Sequence, residues 1–183
     1  MTKQAPFPIS IAFTAENIKK SIKFYREKLG FELAECFPEE KKPMWANMVL
    51  NGQSVMLGQA MSAKDMKKQL ADDKKAGEFW AEHARRFARV AHGVGVCVFL
   101  HVDDVDAFAK SVKTRRVKLD LQPKTQFYGL RECVVTDPDG YTLIFYTHVQ
   151  GSEPCETPVT EPAATPAEPV TETTEPIAMD ADD

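Results

Sequence analysis

Asn17-Ile18-Lys19-Lys20-Ser21-Ile22-Lys23-Phe24-Tyr25-Arg26-Glu27-Lys28-Leu29-Gly30-Phe31 is the stretch that decides the fold. Ile18, Ile22, Tyr25 and Leu29 recur at helical spacing and form one apolar stripe. Gly30 is the expected stop, since a helix commonly ends on a left-handed residue and glycine adopts that conformation without a Cβ clash. Phe31 and Leu33 then begin a strand-like alternation. A weaker echo of this helix, glycine stop and strand begins 87 residues later, at Asp104-Val105.

Working outward, residues 8–14 read as a first strand, with Ile9, Ile11 and Phe13 on one face and Ser10 and Ala12 on the other. After the helix come a strand over 31–37 and two more, Met44 to Leu50 and Ser54 to Gln59. The last two are joined through Asn51-Gly52, a pair suited to a tight hairpin because both positions tolerate positive φ. The second half repeats this order. Val94 to Val102 reads as a strand and Val105 to Val112 as a helix. Lys118 to Leu121 is extended, and a hairpin over Arg131 to Thr136 and Thr142 to His148 turns at Asp137-Pro138-Asp139-Gly140. The chain is therefore α+β: two tandem βαβββ modules, 8–60 and 93–149, forming a cupped mixed sheet within a 1–150 domain.

Between the modules lies a helical insertion, 61–92. Ser62 to Asp65 resembles a capping box, and Phe79, Trp80, His83, Phe87 and Val90 form a stripe in which Phe79 and Phe87 are expected to pack as core. A segment of this length is also a candidate lid over a cavity. Residues 151–183 hold six prolines, six threonines, nine acids and no basic residue. Such a composition buries too little apolar surface to offset ordering entropy, so a disordered acidic tail is expected.

All 23 basic residues precede residue 151, where they face 18 acids, which leaves the folded part at +5. Without a dense Lys/Arg run this argues against nucleic-acid binding. It is also a poor match for a cationic guest. Cys36, Cys97, Cys133 and Cys155 have neither C-x-x-C spacing nor a zinc-like pairing with histidine, and read as reduced thiols. No signal-peptide pattern and no apolar run near the ~20 residues of a membrane span are present. A soluble, cytoplasmic protein without a membrane partner is expected.

The tandem modules, the Ser-x-x-Phe-Tyr-x-x-x-Leu-Gly-Phe motif (Ser21, Phe24, Tyr25, Leu29, Gly30, Phe31) and Asp137-Pro138-Asp139-Gly140 before the last strand resemble the vicinal oxygen chelate superfamily. That family includes glyoxalase I, extradiol dioxygenases and bleomycin-resistance proteins. The resemblance covers about residues 8–149 and implies two modules sharing one cupped site, within a chain or across a dimer. It also implies four metal ligands, usually His, Gln or Glu, from the first and last strands of each module. Carried over, those positions fall on Ser10, Met56 (or Leu57 in the shifted register), Cys97 and Ile144. Methionine and isoleucine cannot hold a hard divalent cation and serine is a poor ligand, so neither metal nor cofactor is expected.

By alternation the cup is lined by Ser10, Ala12, Ser54, Met56, Gly58, Cys97, Phe99, His101, Ile144, Tyr146 and His148, while Phe13, Leu100, Val102, Leu143 and Phe145 pack beneath the helices. The candidate ligand-binding residues are Trp45, Met56, Phe99, His101, Phe127, Tyr128, Arg131 and Tyr146, the aromatic ones stacking on a planar guest and Arg131 pairing with an acidic group. Cys97 and His101 lie about 13 Å apart along one strand, too far for a nucleophile and its base. The expectation is a metal-free, non-catalytic protein that sequesters or senses an apolar or aromatic ligand as a homodimer. The alternatives are a metal-dependent enzyme (a glyoxalase I-like lyase or an extradiol dioxygenase) and an interaction module whose cavity its own side chains fill.

Overall fold

The computed structural model describes residues 11–149. Ser10 and the acidic segment 151–183 lie outside them, as do the first residues expected in the opening strand. The chain divides into a unit of Met1–Ser152 and a second of Glu153–Asp183, and every described residue belongs to the first.

Module one runs β1 (Ile11–Ala15), α1 (Ile18–Lys23) continued by a π-helical segment (Phe24–Leu29), β2 (Glu32–Phe37), β3 (Trp45–Leu50) and β4 (Gln53–Gln59). The insertion holds α2 (Ala63–Gln69) and α3 (Lys74–Phe87). Module two runs β5 (Cys97–His101), α4 (Val105–Thr114), β6 (Leu121–Thr125), β7 (Leu130–Thr136) and β8 (Thr142–His148). The modules form two four-stranded mixed sheets ordered β1-β4-β3-β2 and β5-β8-β7-β6, in which β1 with β4 and β5 with β8 are the parallel pairs.

Local chemistry sets the element ends. Asn17 Oδ1 accepts from Lys20 N at 3.2 Å and starts α1, while Asp104 Oδ1 accepts from Asp106 N and Ala107 N at 2.9 Å and starts α4. Gly30 closes the first helix at φ 86°. Its second half is π-helical rather than α-helical, yet Tyr25 and Leu29 remain buried. Asn51 and Gly52 both take positive φ, as a two-residue hairpin turn requires. The sixth strand begins at Leu121, where the sequence pattern has it ending. Pro123 sits within it, on the sheet edge where a missing N–H costs no ladder bond.

Phe13, Val55 and Leu57 pack under Ile18, Ile22, Tyr25 and Leu29, and Leu100, Cys133, Leu143 and Phe145 under Val105, Ala109 and Val112, in one continuous core. The insertion departs from expectation. Helix α3 buries its small residues Gly77, Ala81 and Ala84, while Phe79 and Trp80 are 65% and 43% exposed. The two helices pack on each other so closely that a Cβ on Gly77 would lie 3.3 Å from the Leu70 carbonyl oxygen. Close approach therefore selects the small face over the aromatic one.

The modules meet through paired contacts with the 87-residue offset of the sequence. Gln53 clamps the backbone of His101, donating to its O at 2.7 Å and accepting from its N at 2.8 Å. Reciprocally, the Tyr141 hydroxyl bonds both N and O of Thr14 at 3.2 Å. Lys28 Nζ donates to Arg115 O at 2.6 Å, and Arg115 reaches back to Lys28 O at 3.5 Å. These exchanged contacts place a pseudo-twofold axis between the modules of one chain.

Candidate functional site

The residues of the two sequence motifs converge on a joint rather than on a cup. Ser21 Oγ donates to Asp139 Oδ2, and the Tyr25 hydroxyl donates to Asp137 Oδ2 at 3.0 Å. Asp137 Oδ1 accepts from the backbone N–H groups of Asp139 and Tyr141, while Asp139 Oδ1 takes Glu16 N. Burial raises the Asp137 carboxyl above its ordinary range despite these bonds. The Tyr25 phenol is also pushed well up, by burial first and then by the charge of Asp137. These groups lock the helix of module one onto the last turn of module two.

The concave surface of the second sheet is where side chains are left facing outward for chemistry. Strand pairing lays two rows across it. Phe99, Ile144, Val134 and Leu121 are successive neighbours in register and make an apolar row. His101, Tyr146, Glu132 and Lys124 make a polar row beside it. Tyr146 stands edge-on to Phe99, His101 and His148, with ring centroids 6.1, 5.5 and 5.5 Å away. At the β6–β7 end the rows enclose a groove of about 480 Å3 whose lining includes Leu121, Pro123, Glu132 and Val134.

Glu132 is the residue that the sequence reading missed. It is 7% exposed, its Oε1 accepts from the Tyr128 hydroxyl at 2.9 Å, and its Oε2 is buried with no hydrogen-bond partner. Burial, and then this carboxylate, push the Tyr128 phenol up. The signal was available: Cys133 and Val135 have the apolar parity of a buried face, so the glutamate between Arg131 and Cys133 must point the other way.

The eight candidate residues do not form one site. Phe99, His101 and Tyr146 stand together on the concave face. Met56 lies on the corresponding face of the first sheet, paired with Asn47 and Ala12, and Trp45 lies on the same face opposite Gly58. Phe127 is 98% exposed in the loop before β7, and Tyr128 beside it reaches the site only through its bond to Glu132. Arg131 occupies the opposite face. Its Nε and Nη2 hold both oxygens of Asp106 on α4 at 2.6 and 2.8 Å, which keeps the Asp106 carboxyl below its usual range. The parity that turns Glu132 inward turns Arg131 away.

The inherited metal positions that can be seen are Met56, Cys97 and Ile144, with Phe99 beside Ile144 in register. Two of the three side chains offer no donor for a hard cation, so this set does not fit the group. Among the described residues, no three His, Cys, Asp or Glu side chains are placed to hold a metal ion. No described helix is long and apolar enough to cross a membrane. Cys133 lies on the helix-packed face, where burial pushes its thiol up to about 11 and leaves it a poor nucleophile.

Two βαβββ modules bound into one pseudo-symmetric body define a class, and sequence comparison gives it a name. The chain belongs to the glyoxalase/bleomycin resistance protein/dioxygenase superfamily, whose family model matches residues 9–145. Solved structures agree on the fold. A glyoxalase/bleomycin resistance protein/dioxygenase from Nocardioides aligns at a TM-score of 0.56 and 17% identity, over 84% of this chain and 90% of its own. TioX from Micromonospora sp. ML1 aligns at 0.53 and 16%, over 75% and 93%. A superfamily member from Alicyclobacillus acidocaldarius aligns at 0.52 and 17%, over 80% and 94%. At these identities the likeness concerns the fold alone. No curated protein matches the sequence.

Proposed function

We propose that this chain is a metal-independent small-molecule-binding protein that sequesters or senses an apolar or aromatic ligand on the concave face of its second sheet. The observation that carries this reading is the apolar row Phe99, Ile144, Val134 and Leu121, neighbours in register across one sheet face, with Phe99 and Leu121 left 47% and 59% exposed. A groove of about 480 Å3 at its end is within the range that small ligands use, roughly 300–1,000 Å3. His101 and Tyr146 supply the few polar groups that orient a guest, and no reacting group is needed. A homodimer in solution accompanies this proposal, since a second copy is one way to cover the remaining open face.

The test is titration of full-length protein with the neutral apolar fluorophore N-phenyl-1-naphthylamine. Enhancement that saturates at one probe per chain is expected, with affinity weakened severalfold by Phe99→Ala and unchanged by Phe79→Ala on the insertion. Absence of saturable enhancement, or equal loss in both variants, contradicts the assignment.

A further inference from the structure

We infer that the groove selects ligands whose apolar body carries a protonated amine or amidine, and that Glu132 is the residue that reads it. This deepens the binding reading above and rests on it. The carboxylate of Glu132 lies almost wholly out of water, beside Val134 and within a groove also lined by Leu121 and Pro123. One of its oxygens is held by the Tyr128 hydroxyl, and the other has no partner. A buried carboxylate oxygen left unbonded is costly, and a cationic N–H donor is the group that offsets the cost best. Lys124, the cross-strand partner of Glu132, lines the same groove but is exposed, and among the described residues it forms no ion pair with Glu132.

The rest of the surface fits the same guest. The apolar row runs alongside Glu132, so a one- or two-ring body lying on Phe99, Ile144 and Val134 would extend its charged end toward Oε2. Two aromatic side chains neighbour that end: Tyr146 is the cross-strand partner of Glu132, and Tyr128 is its hydrogen-bond donor. The +5 charge of the domain disfavours a cation only over the surface at large. Within the groove, the short-range field is that of the unpaired carboxylate.

The experiment compares 2-naphthylmethylamine, neutral 2-naphthylmethanol and anionic 2-naphthoate by calorimetric titration of full-length protein at pH 7. The amine is expected to bind about tenfold more tightly than the alcohol, as a charge-assisted bond to a buried acceptor implies, and the naphthoate most weakly. Glu132→Gln should abolish the difference between amine and alcohol, with folding checked by its thermal melt. If the alcohol binds and the amine binds no better, or if Glu132→Gln keeps the preference, Glu132 does not read a cation and the groove remains an apolar site only. If none of the three binds, the small-molecule reading itself falls, and this inference with it.

Discussion

Asp137 carries two loads at once: it accepts the Tyr25 hydroxyl and the backbone of its own turn, yet it sits where burial opposes its charge. Its folded-state pKa is raised, so the folded chain holds the proton more firmly than the unfolded one. The stabilising effect of that proton is complete below the ordinary carboxylate pKa of about 3.9 and is lost as pH rises through the raised value. Asp137→Asn removes this dependence. The melting temperature of the wild type, measured relative to that variant, should fall as pH climbs above about 4; a flat or rising difference contradicts the dominance of burial. Arg131 makes a second prediction at this scale. Its pair with Asp106 is open to solvent and screened, so Arg131→Ala should lower stability only slightly in chemical denaturation and leave probe affinity unchanged. Loss of affinity in that variant would return Arg131 to the binding site. Residue roles were the least legible part of the sequence. Parity along β7 separates Arg131 from Glu132, but hydrogen-bond satisfaction, which singles out Glu132, depends on Tyr128 four residues away folding back onto it.

The elements were legible because their signals are local. The Ile18–Leu29 stripe, the Asn51-Gly52 turn and the Asp137 to Gly140 turn each specify their own backbone through periodicity or positive φ. The insertion misled because an aromatic stripe resembles a core face, while contact between α2 and α3 is decided by how near two backbones approach, which no single helix encodes. A glycine just beyond the insertion makes the point testable. Gly93 has φ 72°, and a Cβ there would lie 2.4 Å from the Gly140 carbonyl oxygen. Gly93→Ala combines left-handed strain with a clash against backbone that cannot yield, and should destabilise the fold by roughly 3 kcal/mol or more in urea unfolding. A change below about 1 kcal/mol would mean that the return from the insertion does not rest on that turn.

At the scale of the whole molecule, the repeat visible in the sequence became a pseudo-twofold body held by exchanged side-chain clamps. Gln53 grips the backbone of His101 and Tyr141 that of Thr14, each module holding the edge strand of the other. Tyr141→Phe should therefore lower stability by about 1 kcal/mol while preserving a single cooperative transition; separate melting of the two halves would contradict a shared body. The sequence could not say that the family's motif residues serve this joint, since Ser21 and Tyr25 lie more than a hundred positions from the aspartates they meet.

On the proposed reading, the site holds its guest by apolar burial and without a bound metal ion. The most direct test of that reading is native mass spectrometry of the full-length chain after purification in the presence of nickel, zinc and iron(II). Chains with no stoichiometric metal and a small organic adduct that Phe99→Ala releases are expected. One metal ion per chain, retained through buffer exchange and removed by a chelator, would contradict the reading.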